Sequence, residues 1–467
     1  MCGIVGVIGV ENVVPNIIKG LERLEYRGYD SAGIAVIDGS DGKISRLRAA
    51  GKLQNLKAKL ESTPLCGNVS IGHTRWATHG KATENNAHPM VTKNVALVHN
   101  GIVENYRELK FNLQNEGYEF LTETDTEVVA NLIQRELDRG NDPCTAFRNT
   151  LNCVKGTYAF AALIDSAPDA IFVARLKSPL AVGFGRNCTC IGSDAISISD
   201  ICSEIAYLDD YEYAVIKRNE TVFFDMRGNA ILKERQVFSD DAISTGKGNF
   251  SHYMLKEIME QPITLRNTIL HNRISGDFFD GISRILIIAC GTSYYAGMVA
   301  RYWFEEFLKI PTDVEIASEY RYRHAIVTEN TLVIAITQSG ETIDTLEATE
   351  FVRKNSNCKV AAIANVKHSA ISRVADFVFY TEAGAEIGVA STKAFTSQLA
   401  VLAAMAFNKN EYLIQEMQNI PLLAESILTL ADRIKQLAEK IKVAGNMVFL
   451  GRGSLYPIAL EGALKLK

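Results

Sequence analysis

No stretch of this sequence stays apolar long enough to cross a membrane. The longest uninterrupted run, Leu399 to Phe407, falls far short of the ~18–20 residues a span needs. The N-terminus, M-C-G-I-V-G, lacks a basic segment ahead of an apolar one, so no secretory signal is expected. Neither sign of charge dominates: Lys+Arg 49 against Asp+Glu 54 leaves −5. With no long Lys/Arg run either, the electrostatic footprint of a nucleic-acid binder is missing. The nine cysteines are odd in number and scattered, which suits the reducing cytoplasm and not a disulfide framework. Cys188 and Cys190 form a C-x-C pair with no second pair nearby at metal spacing, so no metal site is expected. No G-x-x-x-x-G-K-[ST] occurs, which removes a nucleotide P-loop.

What is present is 467 residues, enough for two to four domains at ~100–200 residues each. The first half carries short segments of β character, Ile4 to Ile8, Gly33 to Ile37, Ala96 to His99, Phe160 to Ile164 and Ala214 to Lys217. Between them, Asp125 to Arg139 has a helical period, with Val128, Val129, Leu132, Ile133 and Leu137 on one side. This mixture predicts a layered α+β domain. A small, polar stretch follows, S-D-D-A-I-S-T-G-K-G-N from Ser239 to Asn249, and then a helical pattern from Phe250 to Ile269. The remainder changes style. Apolar runs Ile285–Ala289, Leu332–Ile336, Val360–Ile363 and Phe377–Tyr380 alternate with helical stretches, which predicts a parallel, doubly wound α/β sheet. Met447–Leu450, the turn G-R-G-S and a helix to Lys467 echo the strand, turn and helix from Ile285 to Gly297. A partial internal repeat is therefore expected, with Met447–Leu450 as its strand.

Cys2 is the first candidate for chemistry. If Met1 is removed, one residue carries both a thiol (~8.5) and an α-amine (~7.7–8.0), so the amine can serve as the base for the thiol. The neighbours sharpen this reading. C-G-I-V-G, then Y-R-G-Y-D-S-A-G from Tyr26, G-H-T-R-W-A-T-H-G from Gly72, H-N-G from His99 and T-D-T-E from Thr124 occur in that order. The series resembles the glutaminase domain of the N-terminal-nucleophile amidotransferases. On chemical grounds Cys2 is the nucleophile. Asn100 and the Gly101 N–H suit an oxyanion hole, Arg75 can grip a carboxylate bidentately, and Asp125 can hold an ammonium. The resemblance further implies that Thr78 and His79 line the glutamine pocket, Arg27 orients the chain terminus and Trp76 gates the passage of ammonia.

The second half resembles the sugar isomerase fold. Its turns Gly291-Thr292-Ser293 and Thr337-Gln338-Ser339-Gly340-Glu341-Thr342 each follow a buried strand and open a helix, where hydroxyls, free N–H groups and the helix dipole favour a phosphate. Gly388 to Lys393, G-V-A-S-T-K, adds a third matching element. The order of the two halves resembles the glutamine–fructose-6-phosphate aminotransferases. That resemblance implies phosphate contacts from Thr292, Ser293, Thr337, Gln338, Ser339 and Thr342, and sugar contacts from the Val389 backbone, Ser391 and Lys465. It implies glutamine and fructose 6-phosphate as substrates, no cofactor, a homodimer and a place at the start of amino-sugar synthesis. The expected division is 2–238 glutaminase, 239–249 linker, 250–282 helical arm, 283–425 first sugar isomerase unit and 440–467 the start of a second. In that family the general-base Glu, ring-opening His and Schiff-base Lys come after the stretch matching Glu461 to Lys467. These 467 residues are therefore expected to release glutamate and ammonia without forming the amino sugar.

Three rivals are weaker. An amidophosphoribosyltransferase would need an acidic loop for the pyrophosphate substrate after a strand, and none is found. An asparagine synthetase would need S-G-G-x-D-S, also not found. A non-catalytic sugar-phosphate sensor has no use for Cys2 or for the set Arg75, Asn100 and Asp125.

Overall fold

The computed structural model describes residues 2–9, 11–25, 28–37, 42–76, 80–237, 247, 249–323, 325–367 and 369–467. Most of the expected linker, and with it the boundary at Phe238, lies outside the described residues. The chain divides into two compact units, residues 1–245 and 246–467.

The first unit is an α+β sandwich. One eight-stranded sheet runs Gln236–Val237, Glu204–Tyr207, Ala181–Phe184, Cys188–Gly192, Gly3–Gly9, Val69–Arg75, Ser31–Ile37 and Ile44–Ala50. The second sheet has seven strands, with Val95–Val103, Gly156–Ile164, Ala170–Leu176 and Glu212–Lys217 side by side in its middle. The period of two explains the layering. In Gly3–Gly9, Ile4 and Ile8 pack with Val98, Ala161 and Val173 of the facing sheet. Val5 and Val7 instead meet Ile17 and Leu21 of the helix Val14–Leu24. Helices Thr126–Asp138 and Pro143–Cys153 cover the outer face of the second sheet. Central strands such as Gly3–Gly9, Ser31–Ile37 and Ala170–Leu176 are thus buried on both faces, whereas outer strands such as Ile44–Ala50 and Thr221–Asp225 stay partly exposed. The Pro143–Cys153 helix starts where Asp142 accepts hydrogen bonds from the Cys144 and Thr145 N–H groups, with Pro143 in the first turn.

The second unit is built on a five-stranded parallel sheet ordered Thr312–Ile316, Arg284–Ala289, Thr331–Ile336, Lys359–Ala364, Phe377–Tyr380. In chain order this is 2-1-3-4-5, the doubly wound arrangement. Ile285 and Ile287 face one layer while Leu286 and Ile288 face the other, as a sheet covered on both sides requires. The reversal of order falls between Arg284–Ala289 and Thr331–Ile336, which pair in parallel with Ala289 beside Ile336. A crevice opens at such a switch point, outside the carboxyl ends of the strands.

One expected strand is corrected. Met447–Leu450 has no strand pairing, and Val448 and Leu450 are 82% and 88% exposed. A strand needs a neighbour for its N–H and C=O groups, and the described residues offer this segment none. The helix after it, Leu455–Leu466, does form. Its Ile458 and Leu464 stay partly exposed, as expected of an unpartnered face, but Pro457 and Glu461 are buried.

Candidate active sites

Cys2 immediately precedes the Gly3–Gly9 strand, whose Gly3 pairs antiparallel with Thr74. Register therefore brings Cys2 beside Arg75, the last residue of the Val69–Arg75 strand. The backbone of Trp76 holds the sulfur from two sides: its N–H donates to Cys2 Sγ at 3.2 Å, and Sγ–H donates to its carbonyl at 3.4 Å. Burial pushes the Cys2 thiol up, opposed by the Trp76 N–H and the Arg75 charge. The Arg75 guanidinium donates to the carbonyls of Lys81 and Gly80 at 3.2 and 3.4 Å. Its burial lowers its pKa, while Cys2, Asp125, Asp30 and Glu123 favour its charged form.

Asn100 is fixed from three directions. Its Nδ2 donates to the Cys2 carbonyl at 3.0 Å and to Ser193 Oγ at 2.9 Å. Its Oδ1 lies 3.0 Å from His73 Nε2, which is also 3.0 Å from the His99 carbonyl. Both partners are acceptors, so His73 carries its proton on Nε2. Burial brings the His73 pKa down to about 3, which keeps the ring neutral. Ser193 Oγ also accepts from the Ile4 N–H at 2.8 Å. Gly101, next in the strand, has φ of +135°. A Cβ there would sit 2.0 Å from the Thr157 carbonyl oxygen of the paired strand, so only glycine fits.

Asp125 stands at the head of the Thr126–Asp138 helix but does not cap it with its side chain. Its Oδ2 instead accepts the Val103 N–H at 2.8 Å. That contact aims the buried carboxylate at the strand carrying Asn100 and Gly101. Trp76 is 38% exposed and edge-on to Tyr29, with ring centroids 5.2 Å apart. Arg27, Thr78 and His79 lie outside the described residues.

In the second unit both hydroxyl-rich turns sit at the carboxyl ends of adjacent strands. Thr337 Oγ1 accepts the Gly340 N–H at 3.2 Å and lies 3.0 Å from Thr342 Oγ1. Ser339 Oγ accepts the Glu341 N–H at 3.1 Å. Gly340 has φ of +69°, and a Cβ on it would meet Ser369 Oγ at 2.0 Å. Gln338 accepts at its backbone carbonyl from the Asn365 N–H, 3.0 Å away. In the first turn Ser293 Oγ accepts from Gln398 Nε2 at 3.1 Å. Thr292 Oγ1 takes a hydrogen bond from Lys465 Nζ at 2.9 Å and lies 3.2 Å from Glu461 Oε1. Ser391 donates to Glu386 Oε2 at 2.8 Å, and Val389 is 71% exposed.

Comparison with known proteins bears on both units. Residues 73–199 match the glutamine amidotransferase domain family, and residues 280–408 match the SIS domain family. The glutamine–fructose-6-phosphate aminotransferase [isomerizing] of Bartonella henselae is 42% identical over 488 residues, covering 100% of this chain and 80% of that protein. The protein of the same name from Zymomonas mobilis is 44% identical with the same coverage. The chain belongs to the glutamine–fructose-6-phosphate aminotransferase family. Among solved structures, the C-terminal domain of glucosamine-fructose-6-phosphate aminotransferase from Francisella tularensis is 45% identical, covering 48% of this chain and 68% of that one, with a TM-score of 0.46.

Within this aminotransferase family framework, the geometry adds residues that the motifs did not single out. His73 and His99 stand inside the quoted motifs, yet nothing in their spacing assigns them to steadying Asn100. Ser193 is 93 residues from Asn100, and no local pattern marks it. Glu461 appears in the run E-G-A-L-K-L-K as one more helix residue. In the fold it lies 3.0 Å from Lys465, one turn away, and burial raises its pKa.

Proposed function

We propose that this protein releases ammonia from glutamine for the conversion of fructose 6-phosphate to glucosamine 6-phosphate, as a cytoplasmic homodimer, with residues 1–467 supplying the glutaminase step and the sugar-phosphate contacts. The observation that carries the reading is Asn100, held by His73 and Ser193 with its amide 3.0 Å from the Cys2 carbonyl. The Cys2 thiolate attacks the glutamine side-chain carbonyl, with the α-amine freed by removal of Met1 as base. A C–S bond forms and the oxygen becomes an oxyanion, received by the Gly101 N–H and by Asn100 Nδ2. One Asn100 amide proton is committed to Ser193, so the proton given to the Cys2 carbonyl is the one shared with the oxyanion. Collapse breaks the C–N bond, a proton passes to the departing nitrogen, and ammonia leaves a thioester. Water then cleaves the thioester to glutamate and restores the thiol.

Arg75 binds the glutamine α-carboxylate and Asp125 its ammonium, with Arg27, Thr78 and His79 completing the pocket and Trp76 gating ammonia. The phosphate of the sugar is held by Thr292, Ser293, Thr337, Gln338, Ser339 and Thr342. Val389, Ser391 and Lys465 contact the rest of the sugar. The nine cysteines, odd in number and scattered along the chain, support the cytoplasmic assignment.

Glutamate release and sugar binding test the two halves separately. Cys2→Ala abolishes glutamate release, and intact mass of the active protein lacks Met1. Fructose 6-phosphate raises the melting temperature of the native protein but not that of S339A/T342A. Retained Met1 in active protein, or equal stabilisation of both forms, defeats the assignment for that half.

A further inference from the structure

The sulfurs of Cys188, Cys190 and Cys202 all lie within 4.8 Å of one another. Those of Cys188 and Cys190 are 3.8 Å apart. The first two sit two residues apart on the Cys188–Gly192 strand and share a face. Cys202 comes from the chain after the short Ala195–Ser197 helix, where its N–H donates to the Ile198 carbonyl at 3.1 Å. The adjacent strand and its end leave space for the sulfurs: a Cβ on Gly183 would lie 2.8 Å from Cys202 Sγ, and one on Gly185 would lie 3.0 Å from Cys188 Sγ. Cys190 and Cys202 are buried among aliphatic side chains, whereas Cys188 is partly exposed and gives a way in. Gly9 pairs with Cys188. The cluster therefore lies at the far end of the Gly3–Gly9 strand from Cys2, about 20 Å away at ~3.3 Å per residue.

We propose that Cys188, Cys190 and Cys202 form a binding site for a soft, thiophilic cation, with copper(I) the ion that fits best. Metal–thiolate bonds are about 2.3 Å long, so three sulfurs around one ion stand about 3.8–4.0 Å apart. One edge of the triangle already has that length, and the widest separation must close by less than about 1 Å. Thiolates select copper(I) or zinc over hard, oxygen-seeking cations. Among the described residues no fourth His, Cys, Asp or Glu joins the group. Zinc prefers four ligands, whereas a three-sulfur set suits copper(I). Loading forms metal–sulfur bonds and sends at least two thiol protons to solvent for each ion. No change of oxidation state is involved.

The test uses the whole chain, reduced and kept free of oxygen. Copper(I) is delivered from a coloured chelator of known affinity, with zinc in a parallel arm. One copper(I) per chain is expected, with about three sulfurs near 2.3 Å by X-ray absorption. Bound ion should shield Cys188 from alkylation in the native protein. C188S, C190S and C202S should each weaken binding at least ~10-fold, and Cys2→Ser should leave it intact. Because C190S alters a buried position and is prone to misfold, partly exposed Cys188 and the native alkylation pattern carry the decision. Uptake unchanged in C188S, or a shell of two sulfurs or fewer, overturns the proposal. So does zinc held more tightly with a four-ligand shell, or a Cys188–Cys202 disulfide that takes up no ion after reduction.

Discussion

Replacing Ser193 by alanine removes one hydroxyl oxygen that receives two buried donors, the Ile4 N–H at 2.8 Å and Asn100 Nδ2 at 2.9 Å. The space vacated is smaller than a water molecule, so neither donor gains a substitute. A buried donor left unsatisfied costs ~1–3 kcal/mol, and relaxation recovers part of it, which places S193A about 2–4 kcal/mol below wild type in stability. The catalytic effect is separate. Asn100 keeps its contacts to His73 and the Cys2 carbonyl but loses the one that fixes its amide plane. Removing an oxyanion donor outright costs ~10²–10³ in kcat, which sets the expectation for N100A. S193A disorients the donor without deleting it, so kcat for glutamate release should fall ~10–10²-fold. The KM for glutamine should hold within about twofold, because Arg75 and Asp125 are untouched. The double variant S193A/N100A should be no slower than N100A, since the two act through one group. Steady-state glutaminase assays at a temperature where all variants remain folded, checked by circular dichroism, give these numbers. An S193A kcat equal to wild type, or a double variant slower than N100A by the full S193A factor, would refute the coupling.

Two further outcomes follow from the same neighbourhood. Arg75→Lys keeps the charge but loses the guanidinium fork, and should raise the glutamine KM at least ~10-fold from a clamp worth ~1.5–3 kcal/mol. An unchanged KM would leave Arg75 a structural residue. Burial holds the His73 ring at about 3 against 6.5 when exposed, and it also lowers His88, stacked 4.2 Å away, well below 6.5. Between those values the unfolded chain binds more protons than the folded one, so stability is full above about pH 6.5 and is lost as pH falls. Each ring contributes a slope of ~1.4 kcal/mol per pH unit, and urea unfolding of wild type and H73N from pH 7 to 5 should show the slope shrink in the variant.

What the sequence revealed depended on how local each signal was. The strands at Ile285–Ala289 and Leu332–Ile336 are apolar runs because both faces are covered, and a run of that kind is visible without knowing its neighbours. The edge strand Thr312–Ile316, T-D-V-E-I, is half solvated and shows no such run. Met447–Leu450 failed in the opposite direction. It has the composition of a buried strand, but composition does not supply a pairing partner. The residues proposed as nucleophile, clamp and oxyanion donors stand in motifs that are contiguous in sequence. Ser193 and the third sulfur at Cys202 carry no local pattern, because the strand pairing places the first and the turn after the Ala195–Ser197 helix places the second.

The wiring of hydroxyl protons around the parallel sheet fixes what each oxygen can say to a ligand. Ser339 Oγ already accepts the Glu341 N–H, so its own proton points to no described partner and suits an acceptor-only anion such as a phosphate. Ser391 is set the other way. Its single proton is committed to Glu386, whose other oxygen accepts the Thr392 and Ala394 N–H groups at 2.8 and 3.1 Å. What remains on Ser391 is lone pairs, which a sugar hydroxyl can approach only as donor. A phosphate brought to that serine meets oxygen facing oxygen and is repelled, while at Ser339 it is welcomed. On the proposed reading, the directions of these hydrogen bonds, set before a ligand arrives, favour the phosphate at Ser339 and a donating sugar hydroxyl at Ser391.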